Sequence, residues 1–217
     1  MVEDGRILSE TLLHIISTTH SEKLLKMIEY VLSESGYTPD AIDGWAIALG
    51  PGSFTGLRIG VSTVKGLAFA TGKPALGVPT LDILASQVSP TPYLICPILD
   101  ARKKEVYTAL YRYEGGELPV RRSPYQAIKP EDLVMKIDEK TIFTGDGTIP
   151  YGDYLRKTLP EFAIVPASSF HVGHGSTVAA LGLDLLLKQR YLKVSSVVPI
   201  YVRSPEAELK LQKPGTD

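Results

Sequence analysis

Hydrophobic positions recur along this chain at two spacings. Between residues 19 and 35, Leu24, Leu25, Met27, Ile28, Val31 and Leu32 fall three and four apart. That period predicts a helix whose apolar stripe is wider than one core face requires. Thr19 and Glu22 have the spacing of a capping box, and Gly36 stands where a helix ends on a left-handed residue. Residues 5–15 read as extended, 45–49 and 75–79 as strands, and 55–71 and 80–88 as helices. Pro90 and Pro92 then punctuate the chain, and a boundary between two lobes, 1–90 and 91–217, is placed there.

The second half repeats the order of elements. Runs at 93–100 and 105–114 alternate as strands, with 102-RKK-104 and 115-GG-116 as turns. A helix at 129–137, a buried strand at 141–145, a helix at 151–159, a strand at 162–166 and a helix at 176–190 follow. The tail from residue 199 is expected to begin extended and end disordered. Extended segments leading into alternating helix and strand, twice, predict a duplicated α/β architecture with two mixed sheets.

Composition narrows the class. The 217 residues carry a net charge of −1, and the largest basic clusters are 102-RKK-104 and 121-RR-122. That is a thin footprint for direct binding of nucleic acid. No apolar run approaches the roughly 20 residues that span a bilayer. Cys96 is the only cysteine, so no intrachain disulfide forms and a reducing cytoplasm is the expected location.

The stretch 50-GPGSFTGLRIG-60 lies between a predicted strand and a predicted helix, where glycines often cradle phosphate. It fails the Walker A pattern, because Leu57 and Arg58 follow Gly56 where lysine is needed. It fails the dinucleotide fingerprint by one residue of spacing, and Ser53 lacks the flanking glycines of a nucleophile elbow. A mechanical role remains. Gly50 and Gly52 permit a sharp turn with positive φ angles around Pro51, and Ser53 or Thr55 can cap the helix. Gly56 and Gly60 share a helix face with Thr63, and each glycine costs about 1 kcal/mol relative to alanine there. Such a face permits close approach of another backbone, from the same chain or from a partner helix. The wide stripe on 19–35 favours the partner.

The same run, GPGSFTGLRIG, resembles the signature of the TsaB (YeaZ) family. So does 99-LDARKKEVYTALY-111, and 145-GDG-147 and 199-PIYVRSPEAELK-210 also fit. The motifs occur in family order across nearly the whole chain. The resemblance implies an actin/hexokinase/Hsp70-like fold of two ribonuclease-H-like lobes without independent catalysis. It implies pairing with a TsaD-type transferase through the first two helices, and work with a TsaE-type ATPase on threonylcarbamoyladenosine at position 37 of tRNA. tRNA would be met only through the complex. The interface residues expected are Leu24, Leu25, Ile28, Val31, Leu32, Gly56, Gly60, Thr63 and Val64, with a homodimer through the same face when alone. Gly50, Pro51, Gly52 and Ser53 shape the loop.

One departure from the family pattern stands at the start. Family members open with a hydrophobic strand ending in Asp-Thr-Ser/Ala, whereas Val2–Leu8 here matches the end of the second strand. A first lobe with its central strand missing or altered is the expectation.

Set against the wider superfamily, 100-DARKKE-105 has the aspartate of a second phosphate loop but no glycine. Asp100 reads as a hairpin-turn residue, with a metal-binding or catalytic acid as the alternative. Gly145, Asp146 and Gly147 could approach an adenosine ring, so weak ATP or ADP binding is weighed against a plain strand-to-helix turn. The catalytic relative's H-x-x-x-H iron motif is absent, and His171 and His174 flank Gly173 without a third ligand. No metal site is expected. The rival readings are a nucleotide-dependent phosphotransferase or ATPase of the same fold, and a glycoprotease-like peptidase.

Overall fold

The computed structural model describes residues 1–13, 20–166, 172–191 and 193–203. The proposed capping residue Thr19, His171 and the tail beyond residue 203 lie outside the described residues, as does the side chain of Glu22.

The chain opens with a hairpin, β1 (Val2–Glu3) and β2 (Arg6–Ile7), paired antiparallel. Asp4 and Gly5 both take positive φ, 47° and 78°, as a two-residue Asp-Gly hairpin turn requires. Helix α1 (His20–Glu34) ends as its sequence predicts. Gly36 sits at φ 72°, its amide donates to Ser33 O, and Tyr37 N donates to Leu32 O, closing the helix with a Schellman pair.

Strand β3 (Trp45–Gly50) and strand β4 (Ala75–Pro79) run parallel and are joined by helix α2 (Phe54–Thr71). Helix α3 (Thr80–Ser86) leads on to β5 (Leu94–Asp100), and the remaining strands gather around β5 in a seven-stranded mixed sheet. On one edge β5 pairs in parallel with β10 (Thr141–Thr144), which pairs in parallel with β11 (Ala163–Ile164). On the other it pairs antiparallel with β6 (Val106–Thr108) and β7 (Tyr111–Arg112). Strands β8 (Val120–Arg121) and β9 (Gln126–Ile128) complete that side. The single run expected at 105–114 is thus two short strands, interrupted at Ala109 and Leu110. Helices α4 (Pro130–Val134) and α5 (Thr148–Thr158) follow β9 and β10.

The expectation of two mixed sheets holds only for the second half. Among the described residues the first half has two separate pairs, antiparallel β1–β2 and parallel β3–β4. Helix α6 (Gly175–Leu187), although it lies far beyond residue 90, returns to pack on β3 and β4. Small residues make that return close: a Cβ on Gly182 would stand 2.5 Å from Ala46 Cβ. The following segment also returns. Val197 is fully buried beside Trp45, Leu49, Val61, Val64 and Ala68, and Ile200 N donates to Leu49 O at 2.8 Å. Hydrophobic burial therefore ties α6 and residues 194–200 to the first half.

A polar knot joins the halves at their centre. Asp82 on α3 accepts hydrogen bonds from Tyr111 Oη at 2.5 Å and from Tyr125 Oη at 2.8 Å. Burial, then the neighbouring carboxylate, pushes both phenols upward, Tyr111 far beyond its ordinary range. Cys96 is also buried, 3.2 Å from Thr108 Oγ1, and burial pushes its thiol up to about 12. It is a core residue without thiolate character.

Candidate functional site

The glycine loop folds as a lever for α2. Gly50 has φ 104° and precedes a cis Pro51. A Cβ there would stand 2.8 Å from Leu57 Cδ1 and 3.1 Å from Ile200 O, so this position excludes side chains. Gly52 was expected to share the positive φ; it does not, and open space surrounds it. Ser53 is the N-cap, its Oγ accepting from Gly56 N at 3.3 Å. Above the cap stands an exposed cluster. The Phe54 and Tyr201 rings lie 5.3 Å apart, the Arg58 guanidinium rests 3.9 Å over Phe54, and Arg58 Nε donates to Tyr201 Oη at 3.2 Å. Sequence spacing gave no hint of Tyr201, which is brought here only by the returning C-terminal segment.

Both helices of the expected interface lie side by side, but the residues facing outward differ from those predicted. Gly60 and Val64 are buried against the chain's own sheet, with a Cβ on Gly60 standing 3.1 Å from Ile47 Cδ1. The close approach that Gly60 permits is therefore to β3, not to a partner. Gly56 looks onto Ser53, Thr63 is half-buried, and Leu32 belongs to the core. The width of the α1 stripe has a local cause too. Leu24, Met27, Ile28 and Val31 face a slot inside the fold, and Leu25 alone of the predicted set is largely exposed, at 53 %. The open face of α2 is Thr55, Arg58, Ser62, Gly66, Phe69 and Ala70. Phe69 is 86 % exposed, and nothing lies within 4 Å of a Cβ on Gly66.

The carboxyl ends of β5 and β10 bring Asp100 and Asp146 together. Asp100 N donates to Asp146 Oδ1 at 3.0 Å, and Asp100 Oδ1 accepts from Arg102 N at 2.8 Å. The turn that follows places Arg102, Lys103 and Lys104 all at positive φ, 60°, 52° and 60°. Burial, and secondarily the Asp100 charge, holds the Asp146 carboxyl above its ordinary range despite the Asp100 amide. Gly145 and Gly147 serve packing here: Gly147 N donates to Ile98 O at 3.0 Å. Crevices at the ends of parallel strands are where α/β sheets bind ligands, yet two carboxylates repel a phosphate. Among the described residues no group of three His, Cys, Asp or Glu could hold a metal. No helix there is long and apolar enough to cross a membrane.

A third polar cluster was not foreseen. Glu10 Oε1 accepts from Ser176 N at 2.9 Å and from Ser176 Oγ at 3.0 Å, at the first turn of α6. Burial alone would raise this carboxyl, but the Ser176 bonds and the facing His174 hold it below its ordinary 4.5. A depressed carboxylate stabilises the fold above the unfolded value and loses that contribution as pH falls through the folded one. Glu10→Gln is accordingly expected to lower the melting temperature at neutral pH, by an amount that shrinks progressively as pH falls below the ordinary carboxyl value, as thermal unfolding across pH will show.

The fold and these sites define a protein of the mixed α/β class. It superposes on the YeaZ structure from Pseudomonas aeruginosa with a TM-score of 0.73 and 27 % identity, over 87 % of this chain and 86 % of that one. The family model for TsaD, tRNA N6-adenosine threonylcarbamoyltransferase, matches residues 14–210, and the chain belongs to this family, in its TsaB (YeaZ) branch. The tRNA threonylcarbamoyladenosine biosynthesis protein TsaB of Bacillus subtilis (strain 168) is 29 % identical over 97 % of this chain and 90 % of its own length. A tRNA N6-adenosine threonylcarbamoyltransferase of Clostridium botulinum is 41 % identical over 64 residues, 30 % of this chain.

Proposed function

We propose that this protein takes part in threonylcarbamoyladenosine synthesis on tRNA as a non-catalytic scaffold that binds and activates a TsaD-type transferase. In this reading the two halves are ribonuclease-H-like lobes of an actin-like fold, and the protein works in the cytoplasm. A TsaE-type ATPase joins the complex, and tRNA is reached through it. Alone, the chain pairs with a second copy through the same face.

The observation that carries the reading is the outward face of α2. Ser62, Gly66 and Ala70 leave a shallow lane free of bulky side chains, and Phe69 stands beside it almost wholly in water. An exposed aromatic next to small residues fits a helix packed flush against it, with the ring as an anchor. The transferase-like stretch of the chain makes a related fold the natural partner.

Phe69→Glu and Gly66→Arg test this. Both positions are exposed, so melting temperatures should stay within about 2 °C of the parent. Affinity for the transferase, measured by titration calorimetry, should fall about thirtyfold or more. Unchanged affinity in both variants would remove this face from the interface.

The rival enzyme reading rests on Asp100, Gly145, Asp146 and Gly147. Titration of the isolated chain with ATP and magnesium is expected to give, at most, binding weaker than micromolar. Micromolar or tighter binding would favour a phosphotransferase.

A further inference from the structure

Arg58 differs from its neighbours on the open face of α2. It is exposed, yet its guanidinium is held at two points. The group rests 3.9 Å over the Phe54 ring, and Nε donates to Tyr201 Oη at 3.2 Å. Phe54 stands one turn earlier on the same helix. Tyr201 arrives on the returning segment, which is fixed by Val197 in the core and by the Ile200 amide on Leu49 O. A cation gripped in advance loses less freedom when it binds. The Nε bond and the stack leave both Nη groups as donors, and no carboxylate among the described residues pairs with them.

The position selects what the group meets. Arg58, Ser62, Gly66 and Phe69 are four, four and three apart, so they form one stripe. Arg58 heads the lane of small residues, about 12 Å from Gly66 along the helix axis. A helix lying in that lane passes the guanidinium at one end. Charge then narrows the ligand. Arg58 and Lys65 are the only charged residues of α2, and Lys65 Nζ is already bonded to Ser195 O at 3.1 Å. One fixed cation is too little for nucleic acid, which is bound through many phosphate contacts. A planar fork between two aromatic rings suits a carboxylate, which it takes through two parallel N–H···O bonds.

We propose that Arg58, preset by Phe54 and Tyr201, is the specificity contact of this face and takes an Asp or Glu side chain of the transferase. In this reading, which rests on the α2 face proposed above, Tyr201 is a positioning residue that acts on the partner through Arg58.

Calorimetric titration with the transferase at several salt concentrations tests it. Arg58→Gln should weaken binding about thirtyfold and flatten its dependence on salt, because the charge pair is gone. Arg58→Lys keeps the charge but not the fork; it should lose about tenfold and keep the salt dependence. Tyr201→Phe should weaken binding about threefold in the parent and not at all beside Arg58→Gln, which a merely structural role of Tyr201 would not produce. Finally, Arg58→Glu is titrated against transferase variants in which each exposed Asp or Glu is changed in turn to Arg. One of them should restore at least tenfold of the lost affinity. The proposal is overturned if Arg58→Gln binds as tightly as the parent, if its loss leaves the salt dependence unchanged, or if no charge reversal restores binding. It is equally overturned if Arg58→Gln weakens only self-association, or only the binding of tRNA to the complex. Should Phe69→Glu and Gly66→Arg weaken binding while Arg58→Gln does not, the Arg58 contact falls and the α2 face stands; should none of the three weaken it, both fall.

Discussion

Gly145→Ala is expected to destabilise the protein by about 4 kcal/mol, lowering the melting temperature by about 8–16 °C. Two costs add. Gly145 sits at φ 96°, a backbone that side chains rarely adopt. A Cβ there would also press inside the contact radius of the Ile98 carbonyl oxygen and lie 3.1 Å from Leu84 Cδ1. The carbonyl cannot move freely, because it accepts the Gly147 amide and belongs to β5, at the centre of the large sheet. Gly72→Ala separates the two costs. Gly72 has φ 66° with nothing within 4 Å of the added carbon, so only the backbone term applies, about 1 kcal/mol. Chemical denaturation of both variants measures the difference. Equal losses would mean that β10 and β5 do not approach as closely as described.

Asp82→Ala is expected to cost about 3 kcal/mol, or about 6–12 °C in melting temperature. The carboxylate holds two phenols, and Tyr111 is 1 % exposed. Truncation leaves that hydroxyl buried without its partner, which costs more than the bond itself contributes. Tyr111 packs with Leu81, Ala85 and Ile95, so the disturbance falls where α3 meets the large sheet. Tyr125→Phe, which removes one donor from a half-buried position and leaves Asp82 bonded to Tyr111, should cost no more than about 1 kcal/mol. Similar losses for the two variants would show that Asp82 is solvated and the knot contributes little.

Individual residues show how much of this was readable beforehand. The apolar period at 24–32 and Gly36 predicted α1 and its end, because both signals act within a few residues of each other. Ser53 was legible as a cap for the same reason. The purpose of the small residues was not. Gly60 and the true outward position Gly66 look alike in a row of letters, four apart from Gly56 and from Ser62 respectively. Which of them meets β3 depends on the rotation of α2 over the sheet. The extra width of the α1 stripe was assigned to a partner because nothing in a local pattern reveals a slot inside the fold.

The sequence by itself determined most of the helices and strands, the helix end at Gly36, the cap at Ser53 and the family, since helix and strand periods, turn residues and motif order are properties of short neighbourhoods. Only the tertiary structure decided that α6 and residues 194–201 return to the first half, that Glu10 grips the start of α6, and that Asp100 meets Asp146. Each of those joins residues tens of positions apart. Such contacts form only when burial of apolar surface, which is indifferent to distance along the chain, brings the elements together.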